Sequence, residues 1–460
     1  MQQRPIDTDV LIVGAGISGL STAWFLKQRA PDLRVRVLEA SPRAGGKIVT
    51  HRSDEFVCEG GPDAIISQYP AGVGLIKELG LGDEIIPANP DIRKVYVLQN
   101  DRLIPLAPGF RLTVPTGLRS LLRDRLLSWP GKMAMLRDLF AAPLAEGSDE
   151  SLGEFVRRRF GQEALDRIAG PMMAGIYVAD PELMSMRATF PQFLAMEENG
   201  SLIRGFARLA SASKGPSKPM FVSLKGGMQS LIEALEPRLD DVRYNASVRS
   251  ISRRNSTFQV LEHSGAVHKT GAVVLATPAN VSAVILQRNW PYLSDLLRKI
   301  RFVSTATVSL AFRREDVGRE LDGYGFIVPA TERCQLLACT WTSSKFSNRS
   351  PDSHILLRVF IGGAANEHLV AQTDDELIAL ALFELRDRLQ LRTHPEHTAI
   401  SRWISANPQY DVGHLDRIDR IEESVSDTPG LHLTGCCYRG IGIPSCIQQA
   451  DELVESMLPK

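Results

Sequence analysis

The run Val10-Leu11-Ile12-Val13 followed by Gly14-Ala15-Gly16-Ile17-Ser18-Gly19 constrains the fold of this chain more than any other segment. A short apolar run reads as a buried strand, and the glycines turn it at once into a helix. Gly14 permits the turn, Gly16 lets bare backbone approach a diphosphate, and Gly19 with Ala23 brings the helix close to the sheet. The helix N-terminus presents N–H groups without intrahelical partners to an anion. Val35-Arg36-Val37-Leu38 is the second strand, and Glu39 at its end, twenty residues after Gly19, is placed to accept hydrogen bonds from a ribose. Strand, turn, helix, strand and acid in register predict a dinucleotide-binding domain.

The next residues, Glu39-Ala40-Ser41-Pro42-Arg43-Ala44-Gly45-Gly46-Lys47, add a basic residue and a glycine pair. This continuation resembles the large amine-oxidase-like flavoprotein superfamily, and the resemblance implies that Arg43 and the backbone of Gly45 and Gly46 serve FAD. A solvated arginine in a loop is the alternative for Arg43.

With 460 residues the chain has material for two or three domains. Acidic and basic residues balance at 53 each, so nothing points to nucleic acid. The six cysteines (Cys58, Cys334, Cys339, Cys436, Cys437, Cys446) show no CxxC and no zinc-ligand spacing, so reduced thiols and no metal are expected. A thioether from Cys436 or Cys437 to a flavin is the alternative to small buried cysteines, and non-covalent FAD is the expectation. The first strand begins within about ten residues of Met1, so no signal peptide is expected. No apolar run approaches the roughly 18 residues a membrane span needs. A cytoplasmic protein follows, at most peripheral on the inner face of the membrane.

The pattern predicts an α/β fold: a Rossmann-type FAD-binding domain (1–90 with 220–278 and 400–460), an inserted α+β substrate domain (91–112 with 279–399) and a mostly helical domain (113–219). Strands are expected at 95–98, 102–106, 242–251, 273–275, 303–312 and 355–361, and helices at 72–79 and 374–389. A Ser/Lys/Gly/Pro stretch at 211–219 ends the helical part. Val273-Val274-Leu275 and Leu431-His432-Leu433 look like strands returning to the nucleotide sheet.

Near the C-terminus, Thr434-Gly435-Cys436-Cys437-Tyr438-Arg439-Gly440-Ile441-Gly442-Ile443-Pro444-Ser445-Cys446 is the second diagnostic segment. Gly440 and Gly442 permit backbone to approach a flat ring, and Pro444 suits the first turn of a helix carrying Ile447, Ala450, Leu453 and Met457. A helix N-terminus beside flavin N1 would stabilise reduced flavin. An ordinary packing helix is the alternative.

Taken together, the chain resembles the FAD-dependent protoporphyrinogen and coproporphyrinogen oxidases of haem biosynthesis over essentially its whole length. Matching segments are Glu59-Gly60-Gly61-Pro62-Asp63-Ala64, Ser151-Leu152-Gly153-Glu154-Phe155-Val156-Arg157-Arg158-Arg159-Phe160-Gly161, Pro171-Met172-Met173-Ala174-Gly175-Ile176-Tyr177-Val178-Ala179-Asp180-Pro181, Ser223-Leu224-Lys225-Gly226-Gly227-Met228, and Arg402-Trp403 with Pro408-Gln409-Tyr410-Asp411-Val412-Gly413-His414. The resemblance implies that Gly14, Ala15, Gly16, Ile17, Ser18, Gly19, Glu39, Ala40 and Arg43 hold the ADP half of FAD. Gly45, Gly46, Lys47, Gly61, Pro62, Asp63 and Ala64 would run along the ribityl and ring. Val248 would meet adenine through its backbone, and Trp403, Ile441, Gly442 and Ile443 would border the ring. Ala174 and Gly175 would line the substrate site, Gly175 leaving room for a flat macrocycle; a helix-breaking role is its alternative.

One departure stands out. Family members often carry a basic residue after the Gly-Pro-Asp loop, thought to pair with a substrate propionate, whereas this chain has Ile65-Ile66-Ser67-Gln68-Tyr69. Propionate recognition would then come from elsewhere or involve neutral donors such as Gln68, and the missing charge favours protoporphyrinogen over coproporphyrinogen. The resemblance implies a six-electron oxidation through FAD to molecular oxygen, releasing peroxide, with the porphyrin handed to the next haem-pathway enzyme by a monomer or homodimer. No catalytic acid or base is assigned, because pyrrole protons can leave to water or flavin-derived groups; His414 reads as structural, with a base as its alternative. Rival functions are another flavin oxidase, such as an amine oxidase or carotenoid desaturase, and a non-catalytic flavin-binding or haem-trafficking protein. Leu118, Leu121, Leu122, Leu126 and Trp129 form an apolar stripe that packs on its own domain or lies on lipid. Arg157-Arg158-Arg159 reads as a solvated face, with attraction of substrate carboxylates as the alternative.

Overall fold

The structure, a computed structural model, describes residues 7–111, 114–143, 147–198, 200–212 and 219–458. The first strand, Thr8–Val13, pairs in parallel with Val35–Leu38 on one side and with Val267–Leu275 on the other. Its inner residues Leu11 and Ile12 are wholly buried, as a strand covered on both faces requires. Val242–Arg243 extends the sheet beyond Val35–Leu38, and Leu431–Leu433 adds in parallel to Val267–Leu275. The early part of Val267–Leu275 pairs instead with an antiparallel arm, Thr257–Glu262 and Val248–Arg254. The expected strand at 242–251 is thus two strands, broken near Asn245, whose φ is +56°.

A second seven-stranded sheet runs in the order His397–Pro408, Phe302–Arg313, His354–Gly362, Leu336–Trp341, Gly323–Ile327, Lys94–Gln99, Arg102–Pro105. One face buries Val308, Leu310, Leu357, Val359 and Ile361 under the helix Asp374–Leu389. That helix starts at Thr373 in a reciprocal capping box with Glu376. The other face of the sheet turns toward the nucleotide-binding part.

The expected domain boundaries differ from the packing at two places. The helices Ala279–Leu286 and Pro291–Arg298 share a core with Leu11, Val273 and Leu275, so they cover the first sheet rather than belonging with the second. The strand His397–Pro408 crosses the expected division at 400 and pairs along most of its length with Phe302–Arg313. Core packing decides the first and strand pairing the second, and sequence composition displays neither.

Between the sheets' connections lies a helical region from Leu118–Arg123 to Leu202–Ala212, its core built on Phe155, Phe160, Met173, Phe193 and Phe206. The arginine run there is not a solvated face. Arg159 is fully buried and paired with Asp138 and Glu197, and Arg158 is held by Glu150 and Glu197. Arg157, paired with Glu182, and Arg158 both stay partly open. The Leu118 to Trp129 stripe also divides: Leu121 and Leu126 are buried, whereas Leu118, Leu122 and Trp129 are exposed. Most of the stretch 211–219 falls outside the described residues.

Candidate active site

The dinucleotide turn has the geometry its glycines imply. Gly14 has φ +104°, and a Cβ there would stand 3.0 Å from the Ala276 carbonyl oxygen. At Gly19 a Cβ would lie 1.9 Å from the Gly14 oxygen, so turn and helix meet with no room for a side chain. At Gly16 a Cβ would meet nothing within 4 Å, leaving space where the fingerprint calls for a phosphate. The helix Ile17–Arg29 starts at Gly16 without a capping side chain or a first-turn acid, so the amides around Ser18 remain available to an anion. Glu39 is held beside the turn: Oε2 accepts from the Ala15 N–H at 2.7 Å, and Oε1 from the Ser41 N–H and hydroxyl, each at 2.8 Å. The Glu39 carbonyl accepts from the Ala246 N–H at 2.8 Å, which brings the start of the strand carrying Val248 alongside. Ala40 is exposed. Arg43 spends its guanidinium on the Gly46 and Ala44 carbonyls at 2.6 and 3.0 Å, clamping the Gly45 and Gly46 turn.

From the other end of the chain, helix Ile443–Met457 packs on helix Ile17–Arg29 through Ile443, Ile447 and Leu20. It too begins without a cap, at Gly442, after Ile441. Two bare helix N-termini from opposite ends of the sequence therefore lie in one region. The loop before the second is tied by Tyr410, whose hydroxyl accepts from the Gly440 N–H at 2.8 Å and donates to the Cys436 carbonyl at 2.9 Å. His414 stacks on Tyr410 with centroids 3.9 Å apart, and its Nε2 donates to the Tyr438 carbonyl at 2.9 Å. Burial pushes the His414 pKa down to about 4, which keeps the ring neutral and fits it to hold the loop rather than exchange protons. Lys47 reaches across to the Ala406 carbonyl at 2.9 Å and the Cys436 thiol at 3.3 Å.

The loop 59–64 is fastened almost wholly by residues the sequence did not single out. Trp403 Nε1 and the Thr307 hydroxyl donate to the Gly60 carbonyl at 2.8 and 3.0 Å, and Arg358 donates to the Gly61 carbonyl. Their three strands are neighbours in the second sheet, so one sheet face holds two consecutive carbonyls. A Cβ at Gly61 would fall 1.8 Å from the Lys47 carbonyl oxygen, which presses this loop onto the Gly45-Gly46-Lys47 turn. Lys345 pairs with Asp63 at 2.8 Å, and Ser223, itself bonded by Arg349, donates to the Asp63 carbonyl at 2.7 Å. Burial alone would raise the Asp63 pKa, but Lys345 and Arg358 outweigh it and hold the carboxyl below its usual range. At Glu59 burial wins and the pKa goes up despite Arg349. Pro62 and Ala64 are half-buried in this loop. One signal for Arg358 was present in the sequence: a lone charge inside the otherwise apolar run Ile355-Leu356-Leu357-Arg358-Val359-Phe360-Ile361.

Gly175 lies in helix Gly170–Tyr177, where a Cβ would stand 3.2 Å from Ile327 and 3.7 Å from Ala338 of the second sheet. The Ala174 carbonyl closes this helix by accepting from the Val178 N–H at 3.0 Å. Gln68 is exposed, and its side chain makes no hydrogen bond among the described residues.

The family pattern described as "Flavin containing amine oxidoreductase" matches residues 17–458. The chain belongs to that family. Its cofactor is FAD, and the open site at Gly16, the two uncapped helices and Glu39 fit such a dinucleotide. The chain is 32% identical to the coproporphyrinogen III oxidase of Bacillus subtilis, over 98% of this chain and 97% of that one. It is 32% identical to the enzyme of the same name from Staphylococcus aureus, over 98% of each. Protoporphyrinogen oxidase 1 of Arabidopsis thaliana is 30% identical over 97% of this chain and 87% of that one. A crystal structure from Exiguobacterium sp. 255-15 superimposes with TM-score 0.87 at 31% identity, covering 98% of both chains. Among flavin-containing amine oxidoreductases the chain therefore sits with the porphyrinogen oxidases as an FAD-dependent oxidase.

Proposed function

We propose that this chain oxidises coproporphyrinogen III to coproporphyrin III in haem biosynthesis. The observation that carries the reading is the near-full-length likeness to two bacterial coproporphyrinogen III oxidases. The loss of a cation after Asp63 argues less strongly for protoporphyrinogen once Lys345 and Arg358 are seen to reach the same loop from the second sheet. Bound FAD would supply a two-electron acceptor for the hydrides that leave the macrocycle over three oxidations, with molecular oxygen as terminal acceptor and peroxide as product. The protein's contribution is placement and electrostatics. The helix that starts at Gly442 offers partial positive charge to a ring gaining negative charge. Trp403, Thr307 and Arg358 hold the loop 59–64 in one orientation, and Gly175 lets its helix come close to Ile327 and Ala338 of the second sheet. Pyrrole protons pass to water, so no side-chain base is required.

The test is reduction of the FAD-loaded protein by each porphyrinogen without air, followed by admission of air. Flavin bleaching and then porphyrin fluorescence with coproporphyrinogen III are expected. Faster turnover of protoporphyrinogen IX overturns the choice of substrate, and bleaching by amines or polyenes alone overturns the reaction class.

The reading extends to location. Leu118, Leu122, Trp129, Met133 and Phe140 are 57, 57, 68, 62 and 87% exposed on adjoining short helices. Arg119, Arg123, Arg125 and Arg137 are exposed among them and make no ion pair among the described residues. No described helix is long and apolar enough to cross a membrane. This face rests on an anionic lipid surface at the inner side of the membrane, from which product passes to the next enzyme. Sedimentation with phosphatidylglycerol vesicles but not with phosphatidylcholine ones is expected; equal recovery with both overturns it.

A further inference from the structure

Three cations and two carboxylates meet around the loop 59–64. Lys345 takes Asp63 at 2.8 Å, and Arg349 stands 3.7 Å from Glu59. Arg358 is left over. It is 3% exposed, its only hydrogen bond among the described residues goes to the Gly61 carbonyl, and its Nε is buried with no partner. The titratable groups that bear on it are Asp63, Glu59 and Cys58. Both carboxylates already have partners, and burial pushes the Cys58 thiol up to about 11, so it carries no charge near neutrality. Arginine keeps its proton even when buried, and a buried charge without a counter-ion is costly. The fold has placed an unbalanced positive charge here.

Its position says what could balance it. Along the strand His354–Gly362, Arg358 and Phe360 share the face opposite Leu357 and Val359, and the guanidinium lies 4.7 Å from the centre of the Phe360 ring. Phe360 pairs across the sheet with Ala338, the residue that faces Gly175. Arg358 thus stands between the loop carrying Gly61 and the helix carrying Gly175. We infer that Arg358 anchors a carboxylate of the substrate, supplying from the second sheet the cation that the residues after Asp63 lack. The inference rests on the porphyrinogen reading and names the side chain that would recognise one propionate of the macrocycle. Nη2 is taken by the Gly61 carbonyl, and Nη1 retains its donors for a contact with a carboxylate.

The test uses the FAD-loaded full chain with two probes, coproporphyrin III and its tetramethyl ester, titrated by porphyrin fluorescence. In Arg358→Gln the free acid should bind about tenfold more weakly while the ester binds as it does to the wild type. Equal loss for acid and ester, no loss for either, or a shifted flavin midpoint potential with unchanged acid binding would each overturn the inference, the last by assigning the charge to the cofactor. Should Arg358→Gln not retain FAD, Arg358→Lys is read instead. It keeps the charge but not the fork, and should weaken the acid about threefold and spare the ester. A wild-type protein that oxidises porphyrinogens while Arg358→Gln binds coproporphyrin III normally refutes this inference alone. A wild type that no porphyrinogen reduces refutes the proposed function and this inference with it.

Discussion

The Lys345 ammonium lies 2.8 Å from the Asp63 carboxylate, although 282 residues separate them in sequence. The pair fastens the loop 59–64 to the second sheet at a point where the loop itself carries no cation. Burial opposes the ionised Asp63, whereas Lys345 and Arg358 favour it and prevail. A carboxyl whose folded pKa is depressed adds stability above its unfolded value, near about 3.9, and loses it as pH falls through the folded value. Lys345→Met strips Asp63 of its main support and should raise its pKa, at a cost of about 3 kcal/mol for a largely buried pair. The expected outcome is FAD release at higher pH than in the wild type, followed by flavin fluorescence during acid titration. Coincident release curves would show that the pair does not secure the loop.

Gly16 and Gly19 separate cofactor space from folding space. Gly16→Ala adds a Cβ with no neighbour within 4 Å, so the melting temperature of the cofactor-free protein should stay within a degree or two while FAD affinity drops about tenfold. Gly19→Ala puts its Cβ 1.9 Å from the Gly14 oxygen and should destabilise the protein by several kcal/mol, to the order of 3 or more. Thermal melts with and without FAD distinguish the two; matching losses would contradict the assignment of the open space.

His414 sets a pH limit. Its pKa falls from 6.5 to about 4 on folding through burial. A depressed base contributes stability above its unfolded pKa, and that contribution disappears as pH drops from 6.5 toward 4. The shift corresponds to about 3 kcal/mol across that window. His414→Gln, which keeps a donor for the Tyr438 carbonyl, should melt lower at pH 7.5 yet show a flatter dependence between pH 6.5 and 4.5. A slope parallel to the wild type's would remove His414 as its source.

Gly175 is expected to act on substrate and not on cofactor. A leucine there projects past its Cβ into Ile327 and Ala338. Gly175→Leu should retain FAD at the wild-type ratio and lose turnover by about a hundredfold, with Gly175→Ala intermediate. Absorbance at the flavin band against protein content, together with the porphyrin assay, checks it. Parallel loss of FAD would make Gly175 a packing residue.

The most legible parts of this protein were those whose meaning lies within a few residues. The strand and turn through Gly19 needed only local spacing, and the helix Asp374–Leu389 was read with its observed bounds. So was most of the strand Phe302–Arg313, where Val303, Thr305, Thr307, Val308 and Phe312 favour an extended backbone. Gly323–Ile327 and Leu336–Trp341 went unread, since glycines and a bulge interrupt the alternation that marks a strand. His397–Pro408 also went unread, being polar and only half-buried at the sheet edge. The arginine run at 157–159 misled because charge pattern reports composition, whereas burial of Arg159 depends on Asp138 and Glu197 arriving from other segments.

By itself the sequence determined the nucleotide fold, because backbone turns and helix starts depend on glycine spacing over short distances, and the resemblance of its motifs to known flavoproteins added the flavin and the family. The tertiary structure alone decided which charges stand at the loop 59–64. Lys345, Arg349 and Arg358 are remote from Asp63 in sequence and close in space, and Coulomb attraction and desolvation act on distance through space, not on separation along the chain.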